Sequence, residues 1–107
     1  MSELDWGRGA PWTQGNLRIR RQVMDAVTAD AVRGYAADEE VCGYLRGPAA
    51  DALLVDEHVA MVNVANKLHA IDPETYFRTA RTFFAFNEKK FDDAFHASRA
   101  AGAPIKV

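Results

Sequence analysis

Ile19, Val23, Val27, Ala31 and Tyr35 recur at every fourth position. That spacing holds them on one slowly drifting helical face and predicts a helix over residues 17–37. Arg18, Arg20, Arg21, Gln22, Asp25, Asp30 and Arg33 fall mostly on other sides. Gly34 weakens the helix near its end, and Leu17-Arg18-Ile19 also reads as a short extended lead-in. The pattern then changes. Val41 to Leu45 is a short apolar run between Asp38-Glu39-Glu40 and Arg46-Gly47-Pro48, which reads as a buried strand closed by a turn. Ala52–Val55 and Val59–Val64 add one or two strands. In one continuous strand Leu53, Val55, Glu57, Val59 and Met61 would share a face. A hairpin from 41 to about 64 is the simplest arrangement.

Asn63 to Ile71 reads as a connection. Asp72-Pro73-Glu74 carries the signals of a helix start: a capping carboxylate, proline at the first position and an acid near the positive end of the dipole. The helical stretch runs to about Ala101, with Gly102 as its stop and Pro104 beyond. All six phenylalanines lie between 77 and 95. On one helix Phe77, Phe84, Phe91 and Phe95 share a face, Phe83 widens it and Phe86 points elsewhere. Asn87-Glu88 offers a break, with Asn87 capping a second helix. Ile105-Lys106-Val107 reads as the start of a further strand.

The order is helix, two or three strands, one or two Phe-rich helices, then the start of a strand. That is an α/β or α+β layout, with no internal repeat. Residues 1–16, broken by Gly7, Gly9, Pro11 and Gly15, read as an N-terminal arm, and 17–107 as one domain. The 107 residues amount to one domain. Hydrophobic residues at 49% and charged residues at 26% fit a soluble globular chain rather than a disordered tail. A net charge of −2 gives no basic excess for nucleic acid. No apolar run approaches the roughly 20 residues of a membrane span, and the first residues lack a secretory pattern. A cytoplasmic setting follows, without nucleic acid or membrane as partner.

His58, His69 and His96 are isolated, and none has the spacing of a zinc site. Cys42 lies in the apolar run with no basic neighbour, so it reads as a small core residue with an inert thiol. The Arg18-Arg20-Arg21 cluster reads as a solvated face. Carboxylates remain. Glu39 and Glu40 directly precede the buried strand, where partial desolvation favours a proton-shuttling role.

Glu40-Val41-Cys42-Gly43-Tyr44-Leu45-Arg46-Gly47 reads as Glu-x-Cys-Gly-x-Leu-x-Gly. It follows an amphipathic helix and precedes a hairpin, then Asn63 and Asn66, then Ile71-Asp72-Pro73. This order resembles the N-terminal half of the JAMM/MPN zinc metallopeptidases, over roughly 17–107, with the 76–101 stretch longer than in compact bacterial members. The resemblance implies an MPN-like partial domain with Glu40 as the general acid/base. It implies zinc for the complete domain, held by His-x-His and a later Ser-x-x-Asp. It implies hydrolysis of a peptide or isopeptide bond after a ubiquitin-like C-terminus.

The metal motif is absent from these residues. The expectation is therefore an N-terminal part that is inactive alone, with no metal site of its own and Glu40 rather than Glu39 turned towards the would-be active site. The unfinished strand and the Phe face imply a homo-oligomer or a partner chain. Two other readings stay open: a non-catalytic MPN-like scaffold, and an unrelated, self-associating α+β protein.

Overall fold

The computed structural model describes residues 15–107. The elements in order are β1 (Arg18–Ile19), α1 (Arg21–Ala37), β2 (Cys42–Arg46), β3 (Leu54–Val55), β4 (Glu57–Met61), α2 (Ala65–Ile71) and α3 (Glu88–Ala100). Helices and strands are mixed, as an α+β layout requires. Of the arm read over 1–16, only Gly15 and Asn16 fall among the described residues, both with positive φ.

The hairpin organises the fold. β2 and β4 pair antiparallel, from Cys42 opposite Met61 to Arg46 opposite Glu57. Directly opposed residues share a face, so Tyr44, Val59 and Met61 point the same way. α3 covers that face. Tyr44, Phe95 and Ile105 form the buried cluster, with Val59, Met61, Phe91 and Ala94 packed around it. Phe91, Ala94, Phe95 and Ser98 follow helical spacing, which gives α3 its buried stripe. Arg46 ties the layers together. Its Nη1 donates to the buried Ser98 Oγ at 3.0 Å and its Nε to Glu57 Oε1 at 2.7 Å.

α1 lies against the other face. Its lead-in is extended: β1 pairs in parallel with β3, Arg18 opposite Leu54 and Ile19 opposite Val55. The extended alternative for 17–19 is thus the one adopted. The four-residue repeat drifts about 40° per step on a 3.6-residue helix. By the last turn it has rotated off the sheet, so Tyr35 is 90% exposed while Gly34 is buried.

Of the one or two strands read over 52–64, two form, separated at Asp56, whose N–H donates to Arg46 O. Leu54–Val55 therefore serves β1 and Glu57–Met61 serves β2. Two further expectations are corrected. The connection over 63–71 is largely helical, because Ala65, Leu68 and Ile71 follow helical spacing. The helix start at Asp72-Pro73-Glu74 is instead a turn that ends α2. Asp72 Oδ1 accepts from Thr75 N–H, Tyr76 N–H donates to Asp72 O, and no helix propagates. Without that helix the common Phe face is lost. Phe77 is 74% exposed, Phe84 is also exposed, and Phe86 packs on Phe91 with ring centroids 5.1 Å apart. The break at Asn87 is real. Its side chain accepts from Lys90 N–H and caps α3.

Residues 104–107 return to the second edge of β2. Ile105 bridges Arg46 antiparallel. Leu45 N–H donates to Val107 O at 2.8 Å, and Lys106 N–H returns to Leu45 O at 2.8 Å. Lys106 is only 2% exposed. Its ammonium donates to three backbone carbonyls of the 48–54 loop: Pro48 at 2.9 Å, Leu54 at 2.8 Å, and Asp51. Burial pushes the Lys106 pKa below the usual lysine value, yet all three donors of the ammonium are used.

Lys106→Met keeps the apolar stem and removes the donors, leaving three carbonyls to find water. We expect a loss of about 2–3 kcal/mol from unsatisfied buried polar groups, read as a lower urea midpoint with an unchanged slope. A second outcome concerns acid. Arg18 hydrogen-bonds the Asp51 carboxylate and holds its pKa below the ordinary 3.8. A depressed carboxyl pKa contributes stability above the unfolded value, which is lost as pH falls through the folded value. Asp51→Asn should therefore lower the urea midpoint at neutral pH and have no such effect below the folded pKa.

Candidate functional site

The junction between α1 and β2 builds the site. A Cβ on Gly34 would strike Val41 Cγ1 and come within 2.8 Å of Glu39 O. Helix and strand can approach this closely only without a side chain there. Asp38 then reverses the chain at φ 58°, its N–H bonded to Gly34 O and Tyr35 O, and Glu39 N–H returns to Gly34 O at 2.9 Å. Glu39 and Glu40 emerge from this turn into a cleft of about 390 Å³, walled also by Asp30, Arg33 and Asn63. Arg33 is held on that wall by Asp30, with Nη2 2.8 Å from Oδ1.

The far wall is irregular chain, and two asparagines hold it in place. Asn63 Nδ2 donates to Glu40 O at 2.9 Å and to Phe83 O at 3.1 Å. Its Oδ1 accepts from Ala65 N–H at 3.0 Å and Ala85 N–H at 3.1 Å. Two donors and two acceptances use the ordinary capacity of the amide, and they fix which way it is turned. Asn66 Nδ2 donates to Glu39 Oε2 at 3.0 Å, and its Oδ1 accepts from Ala80 N–H at 2.8 Å. Glu40 N–H donates to Ala80 O at 2.6 Å. The Glu40 backbone is thus held from two sides, while the Glu39 carboxylate is engaged by an amide.

β2 begins at Cys42, so strand alternation does not separate Glu39 from Glu40, and both line the cleft. What distinguishes them is the partner of Glu39. Cys42 is buried, and its Sγ donates to Met61 O. Burial pushes its thiol pKa up and Asp30 adds to the rise, which disfavours the reactive thiolate. Of the basic cluster, Arg18 pairs with Asp51, and Arg20 and Arg21 are exposed.

The histidines lie apart in the fold. His58 is on β4 opposite Leu45. His69, on α2, has Nδ1 2.7 Å from Tyr76 O. His96, on α3, lies 3.5 Å from the Asp92 carboxylate. Among the described residues no three or more His, Cys, Asp or Glu side chains come together to hold a metal ion. The zinc that the octapeptide's resemblance implies does not fit these residues alone.

Asn63 and Asn66 are visible in the sequence only as landmarks after a strand. Their bonding role could have been half read: Asn63 binding the N–H two residues ahead is an ordinary Asx turn. The bonds to Phe83 and Ala85 depend on tertiary structure. Asn63→Asp keeps the acceptor and removes both donors. It should free Glu40 O and Phe83 O, speed hydrogen exchange at the adjoining Glu40 amide, and cost about 1–3 kcal/mol by urea unfolding. No family model, curated protein or solved structure matches the chain, so its own geometry carries the functional reading.

Proposed function

We propose that this chain is the glutamate-bearing part of a JAMM-like zinc peptidase or isopeptidase, with Glu40 as its general acid/base. One observation carries the reading: Glu40 sits at the lip of β2, in the cleft, on backbone held by Ala80 O and Asn63 Nδ2. A proton-transferring carboxylate needs a fixed position within reach of the reacting atoms. Asn63 supplies that fixity, and Asn66 occupies the competing carboxylate of Glu39.

The zinc ligands of the family, His-x-His and Ser-x-x-Asp, come on this reading from outside the described residues or from a partner chain. This chain's own part is to hold a proton on Glu40 and return it, beside a wall carrying the Arg33–Asp30 pair. The substrate class is a peptide or isopeptide bond after a ubiquitin-like C-terminus. A reducing cytoplasm suits the lone, buried Cys42. No helix among the described residues is long and apolar enough to cross a membrane.

A second reading has a specific observation behind it. An apolar groove of about 670 Å³ beside Phe84, Phe86 and Phe91 favours a non-catalytic, MPN-like binding module working with a partner chain or a second copy.

Isolating the native assembly through a tag on this chain, and assaying it on an isopeptide-linked ubiquitin-like substrate, separates the two. The catalytic reading expects hydrolysis that a chelator abolishes, that Glu40→Gln lowers at least about 100-fold and that Glu39→Gln largely spares. An assembly with no hydrolysis, or one sensitive at Glu39 instead, would overturn it and leave the binding module.

A further inference from the structure

We propose that Glu39 is a positioning residue for Glu40, acting through Asn66 and Ala80. The proposal rests on the reading of Glu40 as the general acid/base.

A closed ring of hydrogen bonds points to this role. Glu39 Oε2 accepts from Asn66 Nδ2 at 3.0 Å. Asn66 Oδ1 accepts from Ala80 N–H at 2.8 Å. Ala80 O accepts from Glu40 N–H at 2.6 Å. The peptide bond between Glu39 and Glu40 closes the ring. Ala80 is the one buried residue between α2 and α3, at 1% exposed. Water therefore does not replace a lost bond there at no cost, and a buried amide or carbonyl must keep its partner.

Donor and acceptor chemistry gives the ring a direction. A carboxylate only accepts hydrogen bonds, whereas an asparagine amide donates from one end and accepts at the other. Glu39 takes the Nδ2 end of Asn66 and leaves Oδ1 for Ala80. With the amide turned over, Nδ2 would face Ala80 N–H, donor against donor. Among the described residues the Asn66 side chain has only these two partners. The Asn63 side chain has four, which fix its orientation without help. The orientation of Asn66 depends on Glu39. A charged acceptor makes a stronger bond than a neutral one, and linked bonds polarise one another. The carboxylate next to Glu40 in sequence thus holds the N–H side of Glu40, while Asn63 holds its carbonyl.

Hydrogen exchange on this chain, read residue by residue as protection, tests the ring. Glu39→Ala should lower the protection of the Glu40 and Ala80 amides at least about threefold. Glu39→Gln keeps an acceptor in place and should hold both within about twofold of their original protection. Amides of the β2–β4 ladder should not move in either variant. Asn66→Ala should expose the same two amides, and adding Glu39→Ala to it should change nothing more, because both act through one bond. In the assembly assayed on the isopeptide-linked substrate, Glu39→Ala should lower kcat about tenfold, with KM and the pH profile unchanged, and Glu39→Gln should restore it. A Glu40 amide indifferent to Glu39→Ala would overturn the proposal. So would Glu39→Gln losing as much protection as Glu39→Ala, or additive effects of the two alanine changes. The two readings fail separately. An assembly without hydrolysis removes the catalytic role of Glu40 while the exchange pattern still shows the ring. Hydrolysis lost with Glu40→Gln, beside a Glu40 amide unmoved by Glu39→Ala, removes the role of Glu39 alone.

Discussion

Strand β2 must satisfy its backbone on both edges, and the rest of the structure is arranged around that need. A buried amide or carbonyl left unpaired costs about as much as a lost hydrogen bond. β4 serves one edge of β2, and residues 104–107 serve part of the other. Both partners follow β2 in sequence, one about ten residues after it and one more than fifty residues on. α3 exists in its observed place because it must bring Ile105 back to Arg46. Its buried stripe of Phe91, Phe95 and Ser98 is the packing that makes this return favourable.

Where regular structure stops, side chains take over the pairing of the backbone. The stretch between α2 and α3 has no helix or strand. Asn63 and Asn66 bind its amides and carbonyls, and Lys106 does the same for the loop at 48–54. The same asparagines fix the backbone of Glu40 and the carboxylate of Glu39. Scaffold and candidate site are therefore not separable: loosening the irregular wall loosens the glutamates.

Much of this was legible in the sequence where local signals and tertiary demands agree. The α1 pattern, the strand at Cys42–Arg46, its return at Glu57–Met61 and the Asn87 cap each follow from nearby residues. Local signals failed where a distant partner outweighed them. Asp72-Pro73-Glu74 has every feature of a helix start, yet Asn66 and Asn63 draw Ala80 and Ala85 into bonds that a helix would not allow. The extended start at Ile105–Val107 was legible, but the burial of Lys106 was not, because three carbonyls about fifty residues away give no sign in its own neighbourhood. Glu40 is singled out only by resemblance, and the bonds that hold its backbone depend on contacts across the fold.

The position of Cys42 has a consequence for measurement. Its sulfur lies in the first pair of the hairpin, opposite Met61 and bonded to that residue's carbonyl. Its burial shields it from a maleimide until the packing around that end of β2 opens. As the single thiol of the chain, it gives an uncluttered signal. Its labelling rate is a clock for opening around the start of β2, at the same end of the sheet from which Glu40 extends.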